Sequence, residues 1–460
     1  MTPAPKVNVS EVIDTSKVGR FQILTFALCA MCLIMDGFDV QAIGYVGPAI
    51  VQEWNIPAAA LGPIFGATNF GILIGSLLFT MVADKIGRRP VLIGATLFFS
   101  VMTLLAAQAN SVTELLVLRL IAGVGLGSII PNATALIGEY SPQRKRITLM
   151  MTITMGFTAG AALGGFVAAW MIPAFGWRSV LYFGGTIPLV IAALMFFWLP
   201  ESAQFLVLRG KHLDRVGTWL NRINPRLEAG PNTEYVVPEE NRGGVPIAHL
   251  FREGRGMGTI LLWIVNFMNL LNLYSLSNWL PTVIRDAGYS TSIAVLVGTT
   301  LQVGGTIGPF VLAWLIARKG FVPVLATTFA IASVSIALIG QPGLSLPLLF
   351  VIVFIAGWCV VGGQPGVNAF AATFYPTYLR STGIGWGLGI GRIGAIVGPV
   401  LGGEFMRRQW ATNELFLAAA VPALISALVM FSLRFFQGET GPVAPAKGRG
   451  SGHEDSPREI

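Results

Sequence analysis

The sequence predicts an all-α membrane protein of twelve transmembrane helices in two six-helix bundles, with both termini cytoplasmic. Three observations predict it: a composition too apolar for water, twelve apolar runs of spanning length, and a repeat relating the first six runs to the last six. Of 460 residues, 54% are hydrophobic and 11% charged, and the mean hydropathy is +0.70. A soluble domain carries about 25% charged residues. From Gly320 to Leu379 there is no Asp, Glu, Lys or Arg, so that stretch cannot form a water-facing surface.

The elements follow in order. Residues 1–20 read as a polar cytoplasmic tail, and no small-residue cleavage site follows the first apolar run, so no removable leader is expected. The first bundle, 21–200, holds runs near 23–46, 60–82, 90–108, 114–138, 148–170 and 180–199. Each approaches the roughly 20 residues a bilayer requires. A polar cytoplasmic loop, 201–256, carries Arg209, Lys211, Arg215, Arg222, Arg226, Arg242, Arg252 and Arg255. The second bundle, 257–436, holds runs near 258–280, 293–317, 322–340, 347–371, 384–405 and 414–435. The last segment, 437–460, is rich in Gly, Pro and charge and reads as a disordered cytoplasmic tail.

The net charge of +8 is distributed by side rather than gathered into a nucleic-acid surface. Short loops on the side of the termini hold Lys85, Arg88, Arg89, Arg144, Lys145, Arg146, Arg318, Lys319 and Arg380. The opposite loops hold only Arg178, Arg285, Arg407 and Arg408, so the termini are expected inside. The halves repeat: Gly75, Gly87, Pro90, Val91 and Leu92 recur 233 positions later, from Gly308 to Leu325. Ile121, Ala122, Gly123, Pro131, Pro142 and Arg146 recur 234 later, from Ile355 to Arg380. A site between two such halves at mid-membrane is a common design of secondary transporters.

Asp36 and Asp39 are the only charged residues from Phe21 to Gln52. A carboxyl in lipid is costly and normally lines a polar pathway. Low polarity disfavours its charged form, which suits it to taking up and releasing a proton. Three apart on a helix, the two acids share a face; the plainer reading is that one merely pairs with an arginine. By the repeat they fall on Asn269 and Asn272, which assigns the proton to one half and neutral hydrogen bonds to the other. His212, His249 and His453 lie in the loop or tail, leaving intramembrane proton work to these aspartates or to Glu139. No ligand-spaced His/Cys/Asp cluster or nucleophile–base set appears, so no metal, cofactor or enzyme activity is expected. Cys29 and Cys32 read as two buried thiols.

Arg119 and Arg392 are the basic residues placed within spans, and each needs an acid, a carbonyl or an anionic ligand. Glycines around Arg392 suggest space for a carboxylate to dock bidentately, and a helix-packing ion pair is the alternative for both arginines. Trp263, Phe267, Asn269, Asn272, Tyr274, Trp279, Trp358, Gln364, Asn368 and Phe370 cluster in the seventh and tenth runs. They suit a flat aromatic solute, against the commoner reading of Trp263 and Trp279 as interfacial anchors. Glycines at small-xxx-small spacing, such as Gly123/Gly127 and Gly160/Gly164, read as close helix contacts.

These residues resemble a known family. Ala83-Asp84-Lys85-Ile86-Gly87-Arg88-Arg89 resembles the signature loop of the major facilitator superfamily, departing at Thr80 where a glycine is usual. Arg119 with Gly123-Val124-Gly125, Glu139-Tyr140-Ser141-Pro142 with Arg146, and Pro200-Glu201-Ser202 resemble further motifs, with Ala203-Gln204 replacing the usual Pro-Arg. Asp36-Gly37-Phe38-Asp39, Asn278-Trp279-Leu280-Pro281 and the run from Phe374 to Pro399 are similar to the aromatic acid:proton symporters. The proline that marks drug antiporters is absent from Gly160-Ala161-Ala162-Leu163-Gly164-Gly165.

The resemblance implies a multi-pass inner-membrane protein with the major facilitator fold, and a monomer is expected. It implies import of a hydroxybenzoate-, protocatechuate- or gentisate-type acid with protons, through alternating access. Asp36 and Asp39 would couple the proton, and Asp84 and Glu139 would make gating contacts with nearby arginines, Glu139 being also the further proton-coupling candidate read above. Arg392, Asn269, Asn272, Tyr274, Gln364, Asn368 and Arg119 would bind substrate. Asp84, Lys85, Gly87, Arg88, Arg89, Arg146 and Arg380 would gate. The alternatives are proton symport of a short hydroxy- or dicarboxylic acid and, more distantly, a membrane sensor of aromatic acids.

Overall fold

The structure, a computed structural model, describes residues 6–227, 230, 233–237, 247–376 and 378–435. Among them are 12 helical spans long and apolar enough to cross a membrane. A strand, β1 (Lys6–Asn8), and a short helix, α1 (Val9–Thr15), precede the first span, α2 (Arg20–Trp54). Then come α3 (Leu61–Ile86) and α4 (Arg88–Ala106). Span four is α5 (Val112–Leu126) running into α6 (Ile129–Tyr140), span five is α7 (Arg146–Thr154) running into α8 (Gly156–Phe175), and α9 (Trp177–Trp198) closes the first half. Two short helices, α10 (Ala203–Leu208) and α11 (Leu213–Ile223), and a strand, β2 (Glu234–Val236), lie in the central connection. The second half holds α12 (Gly256–Asp286), α13 (Thr291–Lys319), α14 (Phe321–Ile339), α15 (Leu346–Val360) with α16 (Gly363–Phe374), α17 (Arg380–Arg407) and α18 (Thr412–Ser432). The expected tail 437–460 lies outside the described residues.

Span boundaries are set by ordinary helix chemistry. Ser111 and Ser290 cap α5 and α13, their hydroxyls accepting from Glu114 N (3.2 Å) and Ile293 N (3.3 Å). Gly87 and Gly320, related by the repeat, end α3 and α13 at φ +107° and +83°, where a side chain is strained.

The segments read as a plain tail and a polar connection are more organised than their composition suggests. β1 pairs in parallel with β2, placing Lys6 beside Glu234 and Asn8 beside Val236. Asp14 on α1 pairs with Arg146, and Phe21 stacks on Trp219 of α11 with centroids 6.4 Å apart. The physical reason is periodicity: Val216, Gly217, Leu220 and Ile223 put one buried face on α11. This strap rests on the first half. A 3₁₀ turn, Ile247–Phe251, docks on the second half instead, its Leu250 carbonyl accepting from Thr259 Oγ1 at 3.0 Å.

The repeat appears as matched packing. A Cβ on Gly71 of α3 would lie 2.1 Å from the Leu120 carbonyl oxygen of α5, and one on Gly304 of α13 would lie 2.3 Å from that of Phe354 on α15. Both positions demand backbone-to-backbone contact, which is how helices associate where lipid removes the hydrophobic drive. Gly71→Val and Gly304→Val are each expected to lower the melting temperature of the purified protein sharply. Gly94→Val should leave it nearly unchanged, since nothing lies within 4 Å of a Cβ there.

Candidate functional site

Asp36 and Asp39 sit mid-way along α2 and are 2% and 0% exposed. Gly37 between them lets α2 touch α8, since a Cβ there would lie 1.8 Å from Phe157 O. That contact fixes the rotation of α2 and places the two acids in different surroundings. Asp39 turns into the first half: its Oδ2 lies 3.0 Å from Arg119 Nη1, and its Oδ1 accepts from Thr103 Oγ1 at 2.8 Å. Arg119 is wholly buried, and its Nε and Nη2 find no partner. Asp39 is thus the acid of the two that pairs with an arginine, joining α2 to α5.

Asp36 has no hydrogen bond or ion pair among the described residues. Its electrostatic neighbours are Arg392 of the second half and Asp39. Arg392 is half-buried on α17, and its Nη1 donates to Tyr274 Oη at 3.1 Å. It meets no carboxylate at ion-pair distance among the described residues. Of the glycines expected to clear space around it, Gly389 has nothing within 4 Å of a Cβ, whereas the other two serve helix packing. Gly391 and Gly394 admit α12, where Cβ atoms would meet Leu270 Cδ1 (2.4 Å) and Phe267 O (2.2 Å).

Beside this pair lies a linked set of amides. Asn269 Nδ2 donates to Gln364 Oε1 at 2.8 Å, and Gln364 Nε2 donates to Asn266 Oδ1 (3.0 Å) and Asn368 Oδ1 (3.1 Å). Asn266 was not anticipated; its spacing of three from Asn269 on α12 was the available signal. Asn272 stands apart. It lines a crevice between α12, α17 and α18, and neither its Oδ1 nor its Nδ2 has a partner. Trp279 is no interfacial anchor either: it is 6% exposed, packs edge-on to Phe65 and donates to Pro399 O at 2.8 Å.

The halves are sealed unevenly. On the side away from the termini, Gln41 Nε2 donates to Ser277 O, and Gln302 Nε2 donates to Gln41 Oε1 (3.2 Å) and Ser277 Oγ (2.9 Å). Arg285 with Gln52 and Ser292 with Ala169 O join the halves nearer the surface. Among the described residues no hydrogen bond crosses the seam on the terminal side. This buried Gln41–Ser277–Gln302 lattice also escaped the sequence reading, although Gln41 shares the apolar run of the two aspartates.

On the terminal side, Asp84, Lys85, Gly87, Arg88 and Arg89 of the expected gating residues lie at the α3–α4 turn, whereas Arg146 begins α7 and pairs with Asp14, and Arg380 begins α17. Arg88 Nη1 bonds Asp84 Oδ1 at 2.7 Å, and the Glu201 carboxylate accepts from the backbone N–H of Arg88 (2.9 Å) and Arg89 (3.2 Å). Burial pushes the Glu201 carboxyl above its usual range, while the Ser202, Arg89 and Arg88 amides and the Arg89 charge pull it back. Gly87 leaves room for this carboxylate, since a Cβ there would lie 2.2 Å from Oε2. Lys85 and Arg380 are exposed, and Glu139 sits in the last turn of α6 beside Tyr140, whose hydroxyl donates to Glu201 O at 2.6 Å.

The two aspartates therefore differ in what their loss should do. Removing one partner of a buried ion pair costs about 3–5 kcal/mol. Asp39→Ala is expected to destabilise the protein on that scale in thermal melts, leaving Arg119 charged and unpaired. Asp36→Asn, which breaks no hydrogen bond, should melt close to the parent; equal losses in the two variants would contradict this division.

The family model described as Major Facilitator Superfamily matches residues 29–342 and 262–457. A 4-hydroxybenzoate transporter, PcaK, of Pseudomonas putida is 39% identical over 92% of this chain and 94% of its own length. The gallate transporter of Pseudomonas putida is 38% identical over 93% and 95%, and the gentisate transporter of Corynebacterium glutamicum is 31% identical over 86% and 84%. Among solved structures, a bacterial homologue of the human lysosomal transporter Spinster, inward-facing and unoccupied, superposes with a TM-score of 0.70 at 17% identity, covering 92% of this chain and 99% of that one. The D-xylose-proton symporter gives 0.69 at 16%, covering 89% and 97%. Family membership makes the chain a transporter, not an enzyme, and its twelve spans place it in the membrane, in bacteria the inner one. The chain belongs to the Major Facilitator Superfamily.

Proposed function

We propose that this transporter imports an aromatic carboxylic acid together with a proton, with Asp36 as the proton site and Arg392 as the anion's dock. The observation that carries the reading is the division of charge at mid-membrane: Asp39 is taken by Arg119, while Asp36 of the first half and Arg392 of the second are electrostatic neighbours that form no ion pair among the described residues. The 4-hydroxybenzoate, gallate and gentisate transporters among its relatives support an aromatic acid as cargo. Tyr274 and the Asn266–Asn269–Gln364–Asn368 amides supply an aromatic ring and neutral hydrogen bonds beside the guanidinium.

The energetics favour symport. A benzoate-type acid is an anion at neutral pH, and a negative interior opposes its entry by about 2.3 kcal/mol per 100 mV. One accompanying proton removes that charge. In the proposed cycle the proton neutralises Asp36, which leaves the Arg392 charge to pair with the incoming carboxylate. The halves then rock about the seam. With the termini cytoplasmic, as the loop arginines and lysines favour, the Gln41–Ser277–Gln302 seal closes the outer side and the described conformation faces inward. Asp84, Arg88, Arg89, Glu201 and Arg146 would serve the inner gate, with Lys85 and Arg380 as charges at its rim.

Uptake of a labelled hydroxybenzoate into vesicles with an imposed pH gradient tests this. Accumulation should collapse with a protonophore and in Asp36→Asn, and persistence in either case would remove proton symport or Asp36 from the mechanism. Arg392→Lys keeps the charge but loses the planar fork, so its apparent KM should rise about tenfold or more; an unchanged KM would exclude docking there. Asn269→Ala should likewise raise KM.

A further inference from the structure

Asn272 is 1% exposed, yet both polar atoms of its side chain lack partners, a costly state for a buried amide. It lines a crevice of about 410 Å³ between α12, α17 and α18. The walls are otherwise apolar, with Leu271, Phe405 and the ring of Trp279, whose Nε1 is already bonded to Pro399 O. Ser275 adds a hydroxyl that makes no hydrogen bond among the described residues. No Lys, Arg or His is part of the lining. Leu401 and Val421 at the rim are 40% and 50% exposed, so the crevice opens towards lipid rather than towards Asp36 and Arg392.

We propose that this crevice is a second ligand site, which takes the uncharged form of an aromatic acid, or its carboxamide, from the lipid phase. The choice of an aromatic guest rests on the import reading above. A primary amide offers a donor and an acceptor side by side, and an undissociated carboxyl or a carboxamide presents the matching acceptor and donor. A carboxylate has no donor, would leave Oδ1 unpaired, and would sit in an apolar wall without a cation. A lipid acyl chain fills the space but satisfies neither atom. The size is ample, since an apolar cavity of about 150 Å³ already binds benzene.

The test uses the full-length protein in lipid nanodiscs and benzamide, which stays uncharged at every working pH. A diazirine-bearing benzamide should label α12, α17 and α18, and benzamide should displace it where toluene and oleate do not. Asn272→Leu should weaken benzamide about tenfold or more and should raise the melting temperature without ligand, because it removes an unsatisfied amide. Leu401→Trp, which keeps the amide but fills the crevice, should lose the labelling too and reads the same site should Asn272→Leu fail to fold. Arg392→Gln should leave the labelling intact. Equal displacement by toluene or oleate, or undiminished affinity in Asn272→Leu, overturns the proposal. No flux is measured, so this failure leaves the import reading standing, and a failure of uptake leaves benzamide binding to be judged alone.

Discussion

The buried Asp39–Arg119 ion pair is the constraint on which the rest of the molecule depends. Both side chains are fully shielded, and Thr103 completes the carboxylate's hydrogen bonds. A charge in lipid without a partner is so costly that the pair fixes α2, α4 and α5 relative to one another. With Asp39 committed, the neighbouring acid is released from structural duty. Asp36 then makes no hydrogen bond or ion pair among the described residues, and its electrostatic neighbour in the other half is Arg392.

The packing supports that arrangement. Gly37 seats α2 on α8, and the matched Gly71 and Gly304 contacts lock α3 to α5 and α13 to α15. The N-terminal strand and helix tie the first part of the central connection to the first half, while the turn at Leu250 is anchored to the second. Hydrogen bonds across the seam are few among the described residues, chiefly those of Gln41, Ser277 and Gln302, and they lie beside close packing of α3 on α17 and of α8 on α13. Neutral amides suit a seal that must break and reform, since their exchange for water costs little net free energy.

Much of this was legible in the sequence. Twelve apolar runs, the offset repeat, the two acids and the two intramembrane arginines are local or periodic features, and they set the architecture and most of the site. Pairing was not legible, because Asp39 and Arg119 stand 80 residues apart and their meeting depends on helix rotation set by glycine contacts. For the same reason Asn269 and Asn272 looked equivalent, yet one joins Gln364 and the other lies in the α12–α17–α18 crevice. The terminal strap was hidden for another reason: three-residue strands carry too little pattern, although the apolar spacing of α11 was there to be read.

The account's central claim is that Asp36, not Asp39, binds the proton that accompanies the anion. Proton uptake by the purified protein on adding a hydroxybenzoate in weakly buffered solution addresses it most directly. The account predicts that the parent protein takes up protons as substrate binds and that Asp36→Asn takes up none. Undiminished proton uptake in Asp36→Asn would contradict it.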